Sequence, residues 1–204
     1  MPTVRDLGYI VALLAMVPLL VLYLDGSIRT YIVSLDGRPG ITAARWVSAA
    51  GYGLLNAAFA AILMAVGLLM GRPREAMAGR LALFAVIVGS LSVQRIKRLF
   101  CRARPLTEVA GQFFAVFPCF GKDSWLISFP SGHSVTAFAL AFVLSLAYPK
   151  GSGVFYLLAS MIAFSRVYLA SHFPSDVVAG AALGLFAGWI VCRFAHFQFG
   201  DARS

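Results

Sequence analysis

Charged side chains are scarce in this chain. Asp, Glu, Lys and Arg make up only 12% of its 204 residues, whereas hydrophobic residues make up 60%, and the mean hydropathy is +0.85. In an ordinary soluble domain about a quarter of the residues are charged. This shortage excludes an ordinary soluble domain and predicts an all-α, polytopic integral membrane protein.

Acidic residues are the rarer charged class. The chain has 8 Asp and Glu against 17 Lys and Arg, so its formal net charge is +9. It has no carboxylate cluster of the kind that holds Mg²⁺. It also lacks a basic tail and a basic stripe interleaved with aromatic residues, which argues against nucleic acid as a partner. The positive excess predicts contact with anionic lipid headgroups, with a phosphorylated substrate, or with both.

Cysteine is also rare, with three residues and no metal-type CxxC pair. Cys192 lies in an apolar run and is predicted to be a packing residue. Cys101 and Cys119 lie on one connection between apolar segments. They would form a disulfide in an oxidising compartment, or remain two free thiols, and the sequence leaves both alternatives open.

Six apolar stretches reach or approach the roughly 20 residues that a helix needs to cross a bilayer. They cover residues 8–24, 46–70, 77–94, 131–148, 154–169 and 174–197, and the third continues as a helix towards residue 100. The first lacks a strongly basic start and a small-x-small cleavage pattern, so an uncleaved span is expected there. Residues 25–45 are predicted to form a polar connection. We expect a bundle of six transmembrane helices, one membrane-embedded domain over residues 1–204, with both termini on one side.

Glycines recur at every fourth position of the last predicted helix, at Gly180, Gly184 and Gly188. Such a small-residue ridge is typical of helices whose backbones approach each other closely in a membrane. A close contact within the bundle is the simpler interpretation, and homodimerisation is the alternative.

Three polar segments interrupt the apolar pattern, and the parity of six spans places all three on one membrane face. They are the basic residues 97–104, residues 130–133, and residues 165–176. Each alone has an ordinary explanation, as a membrane-flanking anchor, a turn with a helix cap, or a charged corner. Their convergence, together with two helix N-termini, predicts an anion site, and phosphate fits it best.

The basic and capping side chains of these segments suit phosphate binding. Arg104 offers a planar fork of donors, and Lys97, about two helical turns earlier, offers a compact positive charge. Ser131 is a good N-cap for the fourth helix, and Gly132 lets the backbone approach a ligand closely.

Two histidines and a carboxylate supply groups that can move protons or attack phosphorus. His133 lies in the first turn of the fourth helix, where it can donate a proton. Asp176 can hydrogen-bond to His172, which would fix the tautomer of the imidazole and raise its nucleophilicity. Ionisable residues are lacking near the middle of the spans, which argues against an ion transporter.

At this point the pattern is recognisable. Lys97-x6-Arg104-Pro105, Pro130-Ser131-Gly132-His133 and Ser165-Arg166-x5-His172-x3-Asp176 resemble, in order and without departure, the three signature motifs of the type-2 phosphatidic acid phosphatase family. That family is related to the vanadium haloperoxidases and the glucose-6-phosphatases. The resemblance covers about residues 81–197, and the first two spans carry no signature.

The resemblance implies a role for each matched residue. His172 would attack phosphorus and form a phosphohistidine, with Asp176 orienting it, and His133 would protonate the leaving oxygen and then help to activate water. The phosphoryl oxygens would be bound by the remaining motif residues, which are Lys97, Arg104, Ser131, Gly132 and Arg166. Neither a metal nor another cofactor is implied.

The resemblance also implies an activity and a location. The expected reaction is hydrolysis of a membrane lipid phosphate or diphosphate, such as undecaprenyl diphosphate, phosphatidylglycerophosphate, phosphatidic acid or a lipid A phosphate. Alternatives are a lipid phosphotransferase and a non-enzymatic membrane anion-binding or scaffold protein. Similar bacterial enzymes lie in the inner membrane, with cytoplasmic termini and the site on the periplasmic or outer face. A plain count of basic residues by the positive-inside rule points the other way. The sequence does not indicate an oligomeric state.

One further segment bears on the substrate. The connection between the third and fourth spans contains the aromatic stretch Phe113–Phe120. Such a stretch favours a position in the membrane interface, where it would guide or cover a lipid tail, or simply anchor the connection.

Overall fold

The computed structural model describes residues 2–35, 37, 39–113, 119 and 126–195, and its regular structure is helical. The helices are α1 Val4–Tyr23, α2 Asp25–Ser34, α3 Ile41–Ala49, α4 Gly53–Leu69, α5 Pro73–Phe100, α6 Gly132–Ala147, α7 Ser152–Tyr168 and α8 Pro174–Phe194, with a 3₁₀ turn at Pro149–Gly151. The all-α prediction is therefore confirmed. Most of the predicted Phe113–Phe120 stretch lies outside the described residues.

Among the described residues, three helices are long and apolar enough to cross a membrane, namely α1, α5 and α8. A fourth span results if α3 and α4, which meet at a bend of 50°, are taken together. Helix α6 is apolar but has only 16 residues, and α7 has 17 and carries Arg166 in its last turn. The prediction of a polytopic helical membrane protein is thus confirmed, whereas length and apolarity support three to four spans of the six expected.

Two segments differ from the sequence prediction. Residues 25–45, expected to be a polar connection, contain helix α2 and the start of α3. Residues 46–70, expected to be one span, are broken between α3 and α4, where Gly51 and Tyr52 leave the helical path. The hydroxyl of Thr136 on α6 donates to the Gly51 carbonyl at 2.9 Å and compensates one backbone group at the break. Apolarity alone did not predict the break, because it depends on this distant partner.

The glycine ridge of α8 packs against α6. A Cβ atom at Gly180 would lie 2.6 Å from the Ser131 carbonyl oxygen, and one at Gly184 would lie 2.3 Å from the Val135 carbonyl oxygen. Both separations are shorter than a carbon atom tolerates, so only glycine permits this approach. The predicted close contact within the bundle is confirmed, and it fixes the N-terminal ends of α6 and α8 side by side.

Helix α5 ends at Cys101, whose φ of 44° is left-handed and turns the chain back towards the bundle. Cys101 forms a disulfide with Cys119, so the alternative of two free thiols is wrong. An isolated antiparallel bridge then pairs Ala103 with Ile127. Together these contacts hold the basic end of α5 and the residues before α6 in one place.

Candidate active site

The starts of α6 and α8 are joined by a direct hydrogen bond. The backbone N–H of Ser131, which caps α6, donates to the Asp176 carbonyl oxygen in the first turn of α8 at 2.9 Å. The Ser131 side chain accepts a bond from the backbone N–H of Ser134 and is completely buried. Two helix N-termini, and with them two of the predicted polar segments, therefore meet at this point.

His172 and Asp176 form a buried pair at this junction. Nδ1 of His172 lies 3.5 Å from Oδ2 of Asp176, and the two side chains are 2% and 0% exposed. The same Oδ2 accepts the backbone N–H of Phe173 at 2.8 Å, which orients the carboxylate towards the loop that carries His172. Burial lowers the pKa of His172 to about 3, against the opposing effect of Asp176, so its imidazole is neutral at neutral pH. A neutral imidazole has the free lone pair that a nucleophile needs.

His133 lies on the other side of the site, on the first turn of α6. Its ring centroid is 4.7 Å from that of Tyr52, at the break between α3 and α4. Its Nε2 atom is buried and has no hydrogen-bond partner among the described residues. The break between α3 and α4, which the sequence did not predict, thus places the Tyr52 ring beside His133.

Three cationic side chains surround the two histidines. Lys97 is 6% exposed and donates to the Ile127 carbonyl oxygen at 2.7 Å, and it lies within electrostatic reach of Arg104, Arg166 and Asp176. Nη1 of Arg166 donates to the hydroxyl of Ser48 on α3 at 2.6 Å. Burial lowers the pKa of Arg104 from its usual value, and Asp176 opposes this effect.

Several polar atoms of this cluster are buried without a partner. Among the described residues, the Nε atoms of Arg104 and Arg166 have no hydrogen-bond acceptor. Most buried donors in folded proteins are paired, so such atoms call for an explanation. Two guanidinium groups, a lysine and an imidazole within electrostatic reach of one another suit an oxyanion with several oxygen atoms, such as a phosphoryl group.

Gly132 follows Ser131 at the start of α6, and the space that a side chain would occupy there is nearly empty. A Cβ atom there would meet only a methyl group of Val93, at 4.0 Å. Packing therefore does not require glycine at this position, in contrast to Gly180. The remaining reason for a glycine at this position is that it lets a ligand approach the backbone closely.

Two functional candidates were not predicted from the sequence. In the sequence, Arg102 is only one of several basic residues, and Asp25 is only the start of a polar connection. Both are 2% exposed, and Arg102 makes ion pairs with Asp25 at 2.7 Å and with Asp176 at 2.8 Å. The only available signal was an acidic residue directly after an apolar run, which is weak because many helices begin that way.

Comparison with known proteins places this site in a family. The profile of the PAP2 superfamily matches residues 78–199, which include all three polar segments. The chain is 35% identical over 159 residues to decaprenylphosphoryl-5-phosphoribose phosphatase of Mycobacterium tuberculosis, covering 78% of this chain and 82% of that protein. It is 36% identical over 106 residues to lipid A 1-phosphatase of Rhizobium johnstonii, covering 52% of this chain and 43% of that protein. The chain thus spans less than half the length of that relative.

The fold also has a solved counterpart. The transmembrane PAP2-type phosphatidylglycerolphosphate phosphatase of Bacillus subtilis superposes with a TM-score of 0.66 at 23% identity, over 92% of this chain and 96% of that one. At this identity the likeness concerns the fold alone. Together with the profile match and the well-covered mycobacterial relative, it leads to one conclusion: this chain belongs to the PAP2 superfamily.

Proposed function

We propose that this protein hydrolyses a phosphate monoester or diphosphate on a membrane lipid, with His172 as the nucleophile. The observation that carries the proposal is the buried, neutral His172 beside Asp176, near arginine side chains whose Nε donors have no partner in the described part of the chain. A structural role would leave these donors paired. A phosphoryl group would satisfy them and would lie where His172 can reach it.

The mechanism follows from the positions of the two histidines. Nε2 of His172 attacks phosphorus, the bond from phosphorus to the lipid oxygen breaks, and His133 protonates that oxygen. His133 then takes a proton from water, the resulting hydroxide attacks the phosphohistidine, and the P–N bond breaks to release orthophosphate. Asp176 holds Nδ1 of His172 and stabilises the positive charge that develops on the ring.

Charge stabilisation falls to the cationic side chains and the start of α6. Lys97, Arg104 and Arg166 would contact the non-bridging phosphoryl oxygens, with Ser131 and the backbone at Gly132 on the same side. Phosphoryl transfer depends mainly on positioning and on such charge stabilisation. With these cations in place, the proposed reaction needs no metal ion and proceeds in a chelator.

A lipid substrate is supported by an apolar groove beside His133. The groove, of about 480 Å³, lies between α4, α6 and α7 and is lined by residues such as Leu55, Phe59, Leu140 and Ile162. Ile162 also borders Gly51, next to the His133 ring, so the groove ends at the proposed leaving-group side of the site. A hydrocarbon chain in the groove would place its phosphorylated headgroup between the histidines.

The headgroup proposed for this chain is a phosphorylated sugar on a lipid. Two relatives are named for such substrates, a decaprenylphosphoryl-5-phosphoribose and a lipid A, and the first is similar over most of both chains. Undecaprenyl diphosphate, phosphatidylglycerophosphate and phosphatidic acid present the same phosphate chemistry and belong in the same substrate panel.

Membrane orientation is part of the proposal. The Cys101–Cys119 disulfide lies beside Arg102 and Arg104, on the same end of the bundle as the site. Disulfides persist in oxidising compartments. We therefore place the site on the periplasmic or outer face of a bacterial inner membrane. If the shorter helices α6 and α7 also cross, the single domain has six crossings, and both termini are cytoplasmic.

Purified protein in detergent tests the function directly. We expect it to release orthophosphate from a panel of the five lipid phosphates in the presence of EDTA, and His172→Ala to lose that activity. Adding an acceptor lipid separates hydrolysis from phosphotransfer, because transfer yields a phosphorylated acceptor in place of orthophosphate. Undiminished release by His172→Ala would contradict the proposal.

A further inference from the structure

Arg102 joins two buried carboxylates that come from distant parts of the chain. Nη1 of its guanidinium donates to Oδ1 of Asp176 at 2.8 Å, and Nη2 donates to Oδ2 of Asp25 at 2.7 Å. The three side chains are between 0% and 3% exposed. One positive charge thus lies between two negative charges, directly behind His172.

Within the described residues, four of the five N–H donors of the guanidinium are bonded to protein atoms. Nε donates to the Gly111 carbonyl oxygen at 3.3 Å, and Nη1 also donates to the Ser175 hydroxyl at 2.7 Å. The rings of Phe113 and Phe173 cover it, with centroids 4.7 Å and 4.1 Å from the guanidinium carbon. Arg102 therefore acts within the protein, unlike Arg104 and Arg166.

Asp25, at the start of α2, holds the same turn of α8 from the other side. Its Oδ1 accepts the backbone N–H of Ser175 at 3.0 Å, and its Oδ2 accepts the Ser175 hydroxyl. Ser175 directly precedes Asp176. The N-terminal part of the chain, which carries no signature motif, is thereby connected to the carboxylate that faces His172.

We propose that Asp25 and Arg102 are positioning residues for the reaction, holding the Asp176 carboxylate in the orientation in which it directs Nδ1 of His172. This inference rests on the proposed function, since it concerns catalysis only if His172 is the nucleophile. The carboxylate has one oxygen on Arg102 and the other near His172 and on the Phe173 N–H, so a change at Asp25 or Arg102 removes part of what orients it towards the ring. Misplacement of a reacting group by about 1 Å lowers a rate by about 100-fold.

The milder variant is Asp25→Asn, which keeps the shape of the side chain and removes its charge. We expect its kcat to fall about 10- to 100-fold with KM within about 3-fold of the wild type, because neither residue touches the phosphate. Arg102→Gln should lower kcat at least as much. Adding Asp25→Asn to Arg102→Gln should cost less than the sum of the two single effects, because Asp25 acts partly through Arg102 and partly through Ser175. Glu108→Gln, on an exposed carboxylate, and Arg95→Gln, on an exposed arginine, are matched controls.

A second readout, the tautomer of the His172 ring in the folded protein, does not depend on activity. The chain has only three histidines, so ¹⁵N-histidine spectra are simple and His172→Gln assigns the His172 signals. We expect His172 in the wild type to carry its proton on Nδ1, and in Asp25→Asn to show a mixture of tautomers. Lost activity in His172→Gln together with unchanged kcat and an unchanged tautomer in Asp25→Asn would overturn this inference alone. Retained activity in His172→Gln would overturn the proposed function instead.

Discussion

Nδ1 of His172 lies 3.5 Å from Oδ2 of Asp176, both inside the protein. This separation exceeds the roughly 2.7–3.2 Å of an ordinary N–H···O bond. Catalytic hydrogen bonds are often long without substrate and tighten when it binds. A separation of this size therefore agrees with the proposal that Asp176 orients His172 as the nucleophile.

The buried imidazole makes stability depend on pH. The pKa of His172 is about 3 in the folded protein, below its usual 6.5, so the unfolded chain binds a proton that the folded protein does not. The contribution of this group to stability is complete above pH 6.5 and is lost as the pH falls towards 3. Between pH 7 and pH 5 the loss is about 2 kcal/mol. Thermal unfolding should show it in the wild type and not in His172→Gln, and equal losses in both would contradict it.

Gly132 and Gly180 give opposite predictions for the same substitution. Gly132→Ala adds a methyl group that the protein accommodates, since the nearest atom is 4.0 Å away, so Tm should stay unchanged while activity falls about 10-fold. Gly180→Ala places a methyl group 2.6 Å from the Ser131 carbonyl oxygen, so Tm should fall. Phosphate release and thermal unfolding, measured on both variants, separate ligand approach from packing. A lower Tm for Gly132→Ala with intact activity would refute the assignment.

The unpartnered donors predict stabilisation by a phosphate mimic. Orthophosphate or vanadate binds only the folded site, so Tm should rise with its concentration. Arg166→Gln removes one of the donors and should weaken this response, whereas the exposed Arg95→Gln should leave it unchanged. An equal rise in all three proteins would show that the anion binds elsewhere.

The disulfide predicts sensitivity to reductant. Cys101 and Cys119 are 18 residues apart, a loop whose closure is worth about 3 kcal/mol in the chain-entropy account. Reductant should lower the Tm of the wild type and leave that of the Cys101→Ser, Cys119→Ser double variant unchanged.

A thiol reagent that cannot cross membranes tests the membrane orientation of the site. Cys101 and Cys119 are buried, so the reagent is applied to the double variant with Glu108→Cys added, at an exposed position of the same connection. Labelling in intact cells is expected, and labelling only after lysis would place the site in the cytoplasm.

Several elements could be predicted from the sequence because their causes are local. Helices α5 to α8 follow from apolar runs that end at Gly, Pro or capping residues, and the glycine spacing predicted the contact of α6 with α8. The three polar segments were expected to meet, and the bond from Ser131 to Asp176 joins two of them.

Other features depend on partners far away in the chain, and local pattern does not reveal them. The bend before α4 is hydrogen-bonded by Thr136, 85 residues later. Arg102 stands two positions before Arg104, yet one side chain is enclosed by carboxylates and the other has a donor without a partner. Nothing in the sequence indicates that the side chains of Arg102 and Arg104 point in different directions. The proposed role of Asp25 depends on its contacts with Arg102 and Ser175, which the sequence does not show.

The most direct test of the account is to find the phosphoryl group on the nucleophile. Because His133 acts in both steps, the wild-type enzyme is used: rapid quenching within its first turnovers, followed by mass spectrometry under alkaline conditions, should capture the intermediate. We expect a phosphoryl group on His172 and none in His172→Gln. Turnover with no phosphorylation of His172, or with the phosphoryl group on another residue, would contradict it.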